Sequence, residues 1–86
     1  MQSNTEPVAQ IIAEISRTLG YPPEAIPVQI NEKLASEVLG VKVSTLTNWR
    51  TTGRYNLPYI KVGRLVRYRV ADLAAWLAKR RQGAES

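Results

Sequence analysis

LASEVLGVKVSTLTNWRTTG, residues 34–53, is the stretch that decides the fold. Apolar residues recur at helical spacing on both sides of Gly40, which predicts two short helices joined by a tight turn. Asn31 is a suitable N-cap for the first helix, and Gly53 ends the second. The apolar residues next to the turn lie where the two helices must pack on each other. The stretch therefore predicts a helix-turn-helix.

The second helix of this pair carries two different faces. Val43, Leu46 and Trp49 are predicted to face the first helix. The opposite face carries short hydrogen-bonding side chains without a carboxylate, which suits the major groove of DNA, where asparagine can pair with adenine. The alternative is a solvated structural helix, but such a helix would more often carry Glu, Lys or Ala. The outward residues are Ser44, Thr45, Thr47, Asn48 and Thr51.

Downstream, YIKVGRLVRYR, residues 59–69, predicts a β-hairpin around Gly63. A two-residue loop, Gly63-Arg64, would place Arg67 beside Ile60 on one face. A three-residue loop that includes Leu65 sorts the faces better, and we prefer it because it leaves Leu65 exposed at a basic tip. In that register the core face is Ile60, Val62, Val66 and Tyr68, and the outward face is Tyr59, Lys61, Arg67 and Arg69.

Helical patterns flank this central region on both sides. VADLAAWLAKRRQG, residues 70–83, predicts a last helix, and TEPVAQIIAEISRTLG, residues 5–20, predicts an amphipathic first helix. We expect the apolar face of the first helix to cover the core of its own domain, since five large apolar residues rarely stay exposed. That face consists of Val8, Ile11, Ile12, Ile15 and Leu19.

The predicted fold class is mainly α with a small β-hairpin wing, a winged helix-turn-helix with an extra N-terminal helix. The expected organisation is an N-terminal helix and proline-rich connector at residues 1–29 and a winged helix-turn-helix at residues 30–82. Residues 83–86 are expected to form a disordered tail.

Charge is distributed unevenly along the chain. The chain has 12 basic and 7 acidic residues, a net charge of +5. Residues 42–81 hold ten basic residues and one acidic residue, a net charge of +9, whereas the other residues together carry −4. A segment this cationic favours a polyanionic partner, most often nucleic acid. A solvated basic surface is the alternative.

Composition excludes several other functions. The chain has no cysteine and no histidine, so most zinc sites and nucleophilic triads are excluded. It also has no glycine-rich phosphate loop. We therefore expect a protein that is not an enzyme and that binds no metal or cofactor. No apolar run approaches the roughly 18 residues of a membrane span, and the N-terminus does not resemble a secretory signal. We therefore expect a cytoplasmic protein that makes no membrane contact.

The order of these motifs and the residues in them resemble those of a known family. LGV before the turn, STLTNWR in the second helix, IKVGRLVRYR in the wing and DLAAWL in the last helix are similar to the excisionase and AlpA-like branch of the MerR-like winged helix-turn-helix proteins. The resemblance covers residues 30–79. Family members usually place Ser or Thr as the cap of the second helix, where this chain has Lys42. The cap hydrogen bond must then come from elsewhere, or be absent at a cost of about 1 kcal/mol.

The resemblance implies a sequence-specific binder of double-stranded DNA. The expected function is an excisionase that binds and bends attachment-site DNA cooperatively, with an integrase as partner and with copies associating head to tail. Because 86 residues leave no room for a separate effector domain, an architectural role is favoured. A small transcriptional regulator of a phage or mobile element is the alternative.

The basic side chains are expected to hold the DNA backbone. Arg50 and Arg54 would grip phosphates at the end of the second helix, and Arg64 at the wing tip would enter a minor groove. A solvated, charged edge strand explains one or two lysines in the wing, but it explains three arginines poorly. The expected basic contacts are Lys42, Arg50, Arg54, Lys61, Arg64, Arg67 and Arg69.

Overall fold

A computed structural model of the protein describes residues 5–80. Within these residues, four helices follow one another in the predicted order and the predicted hairpin separates the third from the fourth, so the predicted fold class, mainly α with a winged helix-turn-helix, is confirmed. The predicted tail at residues 83–86 lies outside the described residues. Within residues 5–80, no helix combines the length and the apolar character needed to cross a membrane. The elements are α1 (Thr5–Leu19), β1 (Gln29–Ile30), α2 (Glu32–Leu39), α3 (Val43–Thr52), β2 (Ile60–Val62), β3 (Leu65–Arg69) and α4 (Val70–Lys79), with short 3-10 turns at Pro23–Ala25 and Arg54–Asn56.

Helices α2 and α3 form the predicted helix-turn-helix. Asn31 caps α2, since its side chain accepts a hydrogen bond from the Leu34 amide at 2.8 Å. Gly40 ends α2 in the left-handed conformation (φ 72°), which glycine adopts without steric cost. The Val41 amide then donates to the Ser36 carbonyl at 3.1 Å and closes the turn. Two helices joined this tightly have little freedom in their crossing angle.

Helix α1 packs mainly on α4 and covers the core from one side. Ile11 and Ile15 are buried in the same cluster as Leu73 and Ala74 of α4. The remaining members of the predicted apolar face are partly buried against that cluster. The interpretation that this face covers the core of its own domain is therefore confirmed.

The hairpin adopts the register that we did not prefer. Ile60 lies opposite Arg67 and Val62 opposite Leu65, so the loop contains only Gly63 and Arg64. Gly63 has a positive φ of 59° at the first loop position, where a two-residue type II′ turn places glycine. The twist of this short turn matches the twist of the strands, and this turn geometry overrides the cleaner sorting of side chains.

The observed register moves the residues of β2 to the opposite faces of the hairpin from those predicted. Tyr59 and Lys61 share the face of Val66 and Tyr68, and the Tyr59 and Tyr68 ring centroids are 6.4 Å apart. Ile60 and Val62 share the opposite face with Arg67 and Arg69, and Val62 is 67 % exposed. The predicted core positions of Ile60 and Val62 are thus wrong, whereas Tyr59 and Lys61 are exposed as predicted although they share a face with Val66 and Tyr68. Leu65 is exposed as predicted, although it lies in β3 and not in the loop.

A third strand completes the sheet. β1 pairs with β3, which places Ile30 opposite Tyr68, and the sheet order is β1-β3-β2. Ile30 is 2 % exposed and Tyr68 is fully buried. β1 therefore fixes the base of the hairpin to the segment that immediately precedes α2.

Two matched substitutions test this register. Val62→Thr should change the free energy of unfolding by less than about 0.5 kcal/mol, because Val62 is exposed and threonine keeps the β-branched shape. Val66→Thr makes the same chemical change on the core face and should cost about 1–2 kcal/mol, because the new hydroxyl is placed against apolar neighbours. Urea unfolding followed by tryptophan fluorescence measures both, and the opposite order would contradict the register.

Candidate nucleic-acid interface

Helix α3 exposes one uncharged polar stripe along its length. Ser44, Asn48 and Thr51 are exposed and follow one another at spacings of four and three residues, so they share one side of the helix. Leu46, on the other side, is fully buried. Val43 begins the helix on the flank and is 42 % exposed, so the prediction that it faces the core is wrong. The stripe offers donors and acceptors without a formal charge.

A hydrogen-bonded cluster lies on the flank of α3 beside this stripe. The Glu32 carboxylate of α2 accepts from Arg50 Nε at 2.9 Å and from a second guanidinium nitrogen of Arg50 at 3.3 Å. The same carboxylate accepts from the Thr47 hydroxyl at 3.0 Å and from the Tyr68 hydroxyl at 2.7 Å. We call these four residues the Glu32 cluster. It joins α2, α3 and β3 through side chains that are largely removed from solvent.

The charges in the cluster stabilise each other. Burial by itself raises the pKa of the Glu32 carboxyl, but the hydrogen bonds from Arg50, Tyr68 and Thr47 outweigh burial, and the pKa lies below its ordinary value. Hydrogen bonding to Glu32 raises the pKa of Arg50. Burial, followed by the hydrogen bond to Glu32, raises the pKa of Tyr68. At neutral pH the cluster is a carboxylate, a guanidinium and two neutral hydroxyls.

The predicted contact residues divide into two groups by exposure. One group is exposed and consists of Lys42, Ser44, Asn48, Thr51, Arg54, Lys61, Arg64 and Arg69. The other group is half-buried and consists of Thr45, Thr47, Arg50 and Arg67. The exposed group lies on α3, immediately before and after α3, and on the hairpin.

Three of the basic residues differ in what their side chains contact. Lys42 occupies the N-cap position of α3, where family members usually have Ser or Thr. Its side chain makes no capping hydrogen bond. Arg67 donates to the carbonyl of its neighbour Val66 at 2.9 Å and lies on the face opposite to Lys61. Arg54 is exposed, and its guanidinium carbon lies 5.7 Å from the centroid of the Tyr55 ring.

The backbone after α3 is held in an uncommon conformation. Tyr55 and Asn56 have φ values of 65° and 53°, in the left-handed region of the backbone that residues other than glycine seldom adopt. The Tyr55 carbonyl accepts hydrogen bonds from Trp76 Nε1 at 2.8 Å and from an Arg80 guanidinium nitrogen at 2.9 Å. The rings of Trp49 and Tyr55 meet edge to face, with centroids 4.9 Å apart. Helix α4 thus fixes the end of α3.

Sequence reasoning missed two of these features. It did not connect Glu32 with Arg50, 18 residues further on. It also missed the Tyr55 carbonyl as an anchor for α4. An acidic residue shortly before a basic segment was a weak signal for the first feature, whereas a backbone carbonyl leaves no signal in a sequence. Among the described residues, no group of three acidic, histidine or cysteine side chains could hold a metal ion.

Comparison with known proteins identifies one family. The model of the helix-turn-helix domain family matches residues 33–81, which is more than half of the chain. The matched segment contains the turn, the whole of α3 with its uncharged stripe, and the hairpin. Searches of the curated proteins and of the solved structures gave no match.

Stability below neutral pH tests the Glu32 cluster. The ordinary pKa of this carboxyl is 4.5 and the folded-state pKa is lower, so the cluster stabilises the fold above about pH 4.5 and loses that contribution as the pH falls through the folded-state pKa. Glu32→Gln should cost about 1–3 kcal/mol at pH 7 and should weaken the loss of stability as the pH falls below about 4.5. Urea unfolding at several pH values measures both effects.

The exposed Glu37 of the same helix provides the control. Glu37→Gln removes the same charge without touching the cluster, and it should retain the pH dependence of the wild type. Equal pH dependence in the wild type, Glu32→Gln and Glu37→Gln would mean that the hydrogen bonds to Glu32 do not stabilise the fold.

Proposed function

The chain belongs to the helix-turn-helix domain family, and we propose that within this family it is a sequence-specific DNA-binding protein that acts as an excisionase. The family match indicates DNA binding. The proposal adds a specific role, in which the protein binds attachment-site DNA, bends it and directs an integrase toward excision.

The uncharged stripe on α3 is the observation that supports sequence recognition most directly. A helix that enters the major groove needs donors and acceptors at its surface, and a carboxylate there would be repelled by the phosphates on either side. Asn48 lies in the middle of the stripe, and its amide can donate to and accept from adenine at the same time. Ser44 and Thr51 lie one turn to either side, where they reach neighbouring bases or phosphates.

Exposed cations at the two ends of α3 and on the hairpin are proposed to contact the DNA backbone. Lys42 and Arg54 lie at the two ends of α3, and the hairpin adds Lys61, Arg64 and Arg69. Arg64 occupies the loop of the hairpin and is proposed to enter the adjacent minor groove. Arg67 and Thr45 are half-buried and are proposed to add DNA contacts at the edges of the interface. Thr47 and Arg50 are bound to Glu32 and are proposed to act by holding α3 in place.

Charge asymmetry supports cooperative assembly on DNA. Residues 42–81 carry +9 and the rest of the chain −4, so oppositely charged segments of successive copies can attract each other on DNA. A contact between two different surfaces propagates along DNA and does not close as a symmetric dimer. Successive copies then wrap or bend the DNA, as an excision complex requires. A small transcriptional regulator, which needs no such assembly, is the second candidate.

A salt titration tests DNA binding and its division into two kinds of contact. With about five to seven phosphate contacts, the logarithm of the binding constant should fall with the logarithm of salt concentration with a slope of about −5 to −6. Lys61→Ala should weaken binding to every duplex alike and flatten the slope by about one. Asn48→Ala should leave the slope unchanged and relax the preference at one base pair, at a cost of roughly 1–3 kcal/mol. A slope near zero for the wild type would refute DNA binding as the function.

Gel shifts and footprints distinguish the two candidate roles. For an excisionase, the free protein is monomeric, complexes on tandem direct repeats form stepwise and cooperatively, and protection lies within an integrase attachment site. A stable symmetric dimer on an inverted repeat, with protection over a promoter, would instead establish the regulator.

A further inference from the structure

Glu32 holds Arg50 inside the domain, although Arg50 lies on the helix that carries the proposed DNA-reading stripe. Two guanidinium nitrogens of Arg50 contact the carboxylate at 2.9 and 3.3 Å, and the two side chains are only 14 % and 17 % exposed. A two-point contact of this kind is the geometry in which arginine also binds phosphate. The carboxylate therefore occupies Arg50 in the way that a DNA phosphate would.

The rest of the carboxylate is occupied as well. Oε1 accepts from Thr47 and Arg50, and Oε2 accepts from Arg50 and Tyr68. A carboxylate has about four acceptor positions, so no acceptor position is left over. Tyr68 belongs to β3 and is fully buried, which makes the carboxylate a direct link between α3 and the base of the hairpin.

We propose that Glu32 is a positioning residue that determines specificity: it withholds the Arg50 guanidinium from the DNA backbone and sets α3 at a fixed angle to the hairpin. This inference rests on the proposed DNA-binding function. It assigns Arg50, whose residue type and place near the end of α3 suggest a phosphate contact, to the interior of the domain.

The physical reason lies in how cations contribute to DNA binding. A guanidinium on a phosphate adds affinity for every sequence, and this term dominates non-specific binding. Each additional phosphate contact steepens the salt slope by about 0.9. Withholding one cation therefore lowers non-specific affinity, while a fixed α3 keeps the contribution of Asn48. Because the phosphate term is common to all sequences, it cancels in the ratio of specific to non-specific affinity, and the fixed angle of α3 is the effect that raises this ratio.

Glu32→Gln tests the inference, with Glu37→Gln as the matched control. Both substitutions remove one negative charge from α2, but only the first releases Arg50. The probes are a duplex selected from a random library by the wild-type protein and a mixed-sequence duplex of equal length, each titrated at several salt concentrations. Relative to Glu37→Gln, we expect Glu32→Gln to steepen the slope on the mixed duplex by about one and to lower the specificity ratio about five- to tenfold.

A double variant assigns the effect to Arg50. Glu32→Gln combined with Arg50→Gln replaces the ion pair by two neutral amides, and its slope should return to that of the control. The inference fails if Glu32→Gln and Glu37→Gln share the same slope and the same specificity ratio. In that case the wild type still binds DNA and the proposed function stands, whereas a wild type without salt-dependent binding refutes the function itself.

Tyr68→Phe tests the positioning effect separately and avoids the less stable Glu32 variants. It removes only the hydroxyl that links β3 to the carboxylate and leaves Arg50 paired. We expect the wild-type salt slope and a specificity ratio lowered several-fold. An unchanged ratio in a folded Tyr68→Phe protein would overturn the positioning role.

Discussion

The Glu32 carboxylate accepts four hydrogen bonds, and the arrangement of three elements depends on them. Apolar burial brings α2, α3 and β3 together, but it is not directional and sets their mutual angles only loosely. Hydrogen bonds to one shared carboxylate are directional and short. A largely buried carboxylate is also costly unless every partner is present, so the three elements must keep the geometry that supplies those partners.

A second constraint acts at the far end of α3. Trp76 of α4 and Arg80, which follows the helix, donate to the Tyr55 carbonyl, and these contacts keep the chain in a left-handed turn that residues other than glycine seldom adopt. Arg80 also lies over the Trp76 ring, 4.0 Å from its centroid. Helix α3 is thus held by the Glu32 cluster along one flank and by α4 at its end. The side that remains exposed is the uncharged stripe.

The hairpin distributes its charge over both faces because its turn contains only two residues. Lys61 lies on the side of Tyr68, whereas Arg67 and Arg69 lie on the other side with the exposed pair Val62 and Leu65. A longer turn would have collected the basic residues on one face. The observed hairpin presents cations to both of its sides, and its loop carries Arg64.

The sequence by itself determined the order of the helices and the hairpin, the ends of α2 and the uncharged character of the stripe on α3. Each of these depends on local signals: helical periodicity, Asn31 and Gly40 as caps, and the absence of carboxylates between Val43 and Thr52. The tertiary structure alone decided the strand register, the pairing of Ile30 with Tyr68 and the capture of Arg50 by Glu32. These features join residues distant in sequence or, in the hairpin, depend on the dihedral angles of a two-residue turn. Arg50 illustrates the difference: its residue type indicated a phosphate contact, and only the folded chain placed a carboxylate within hydrogen-bonding distance of it.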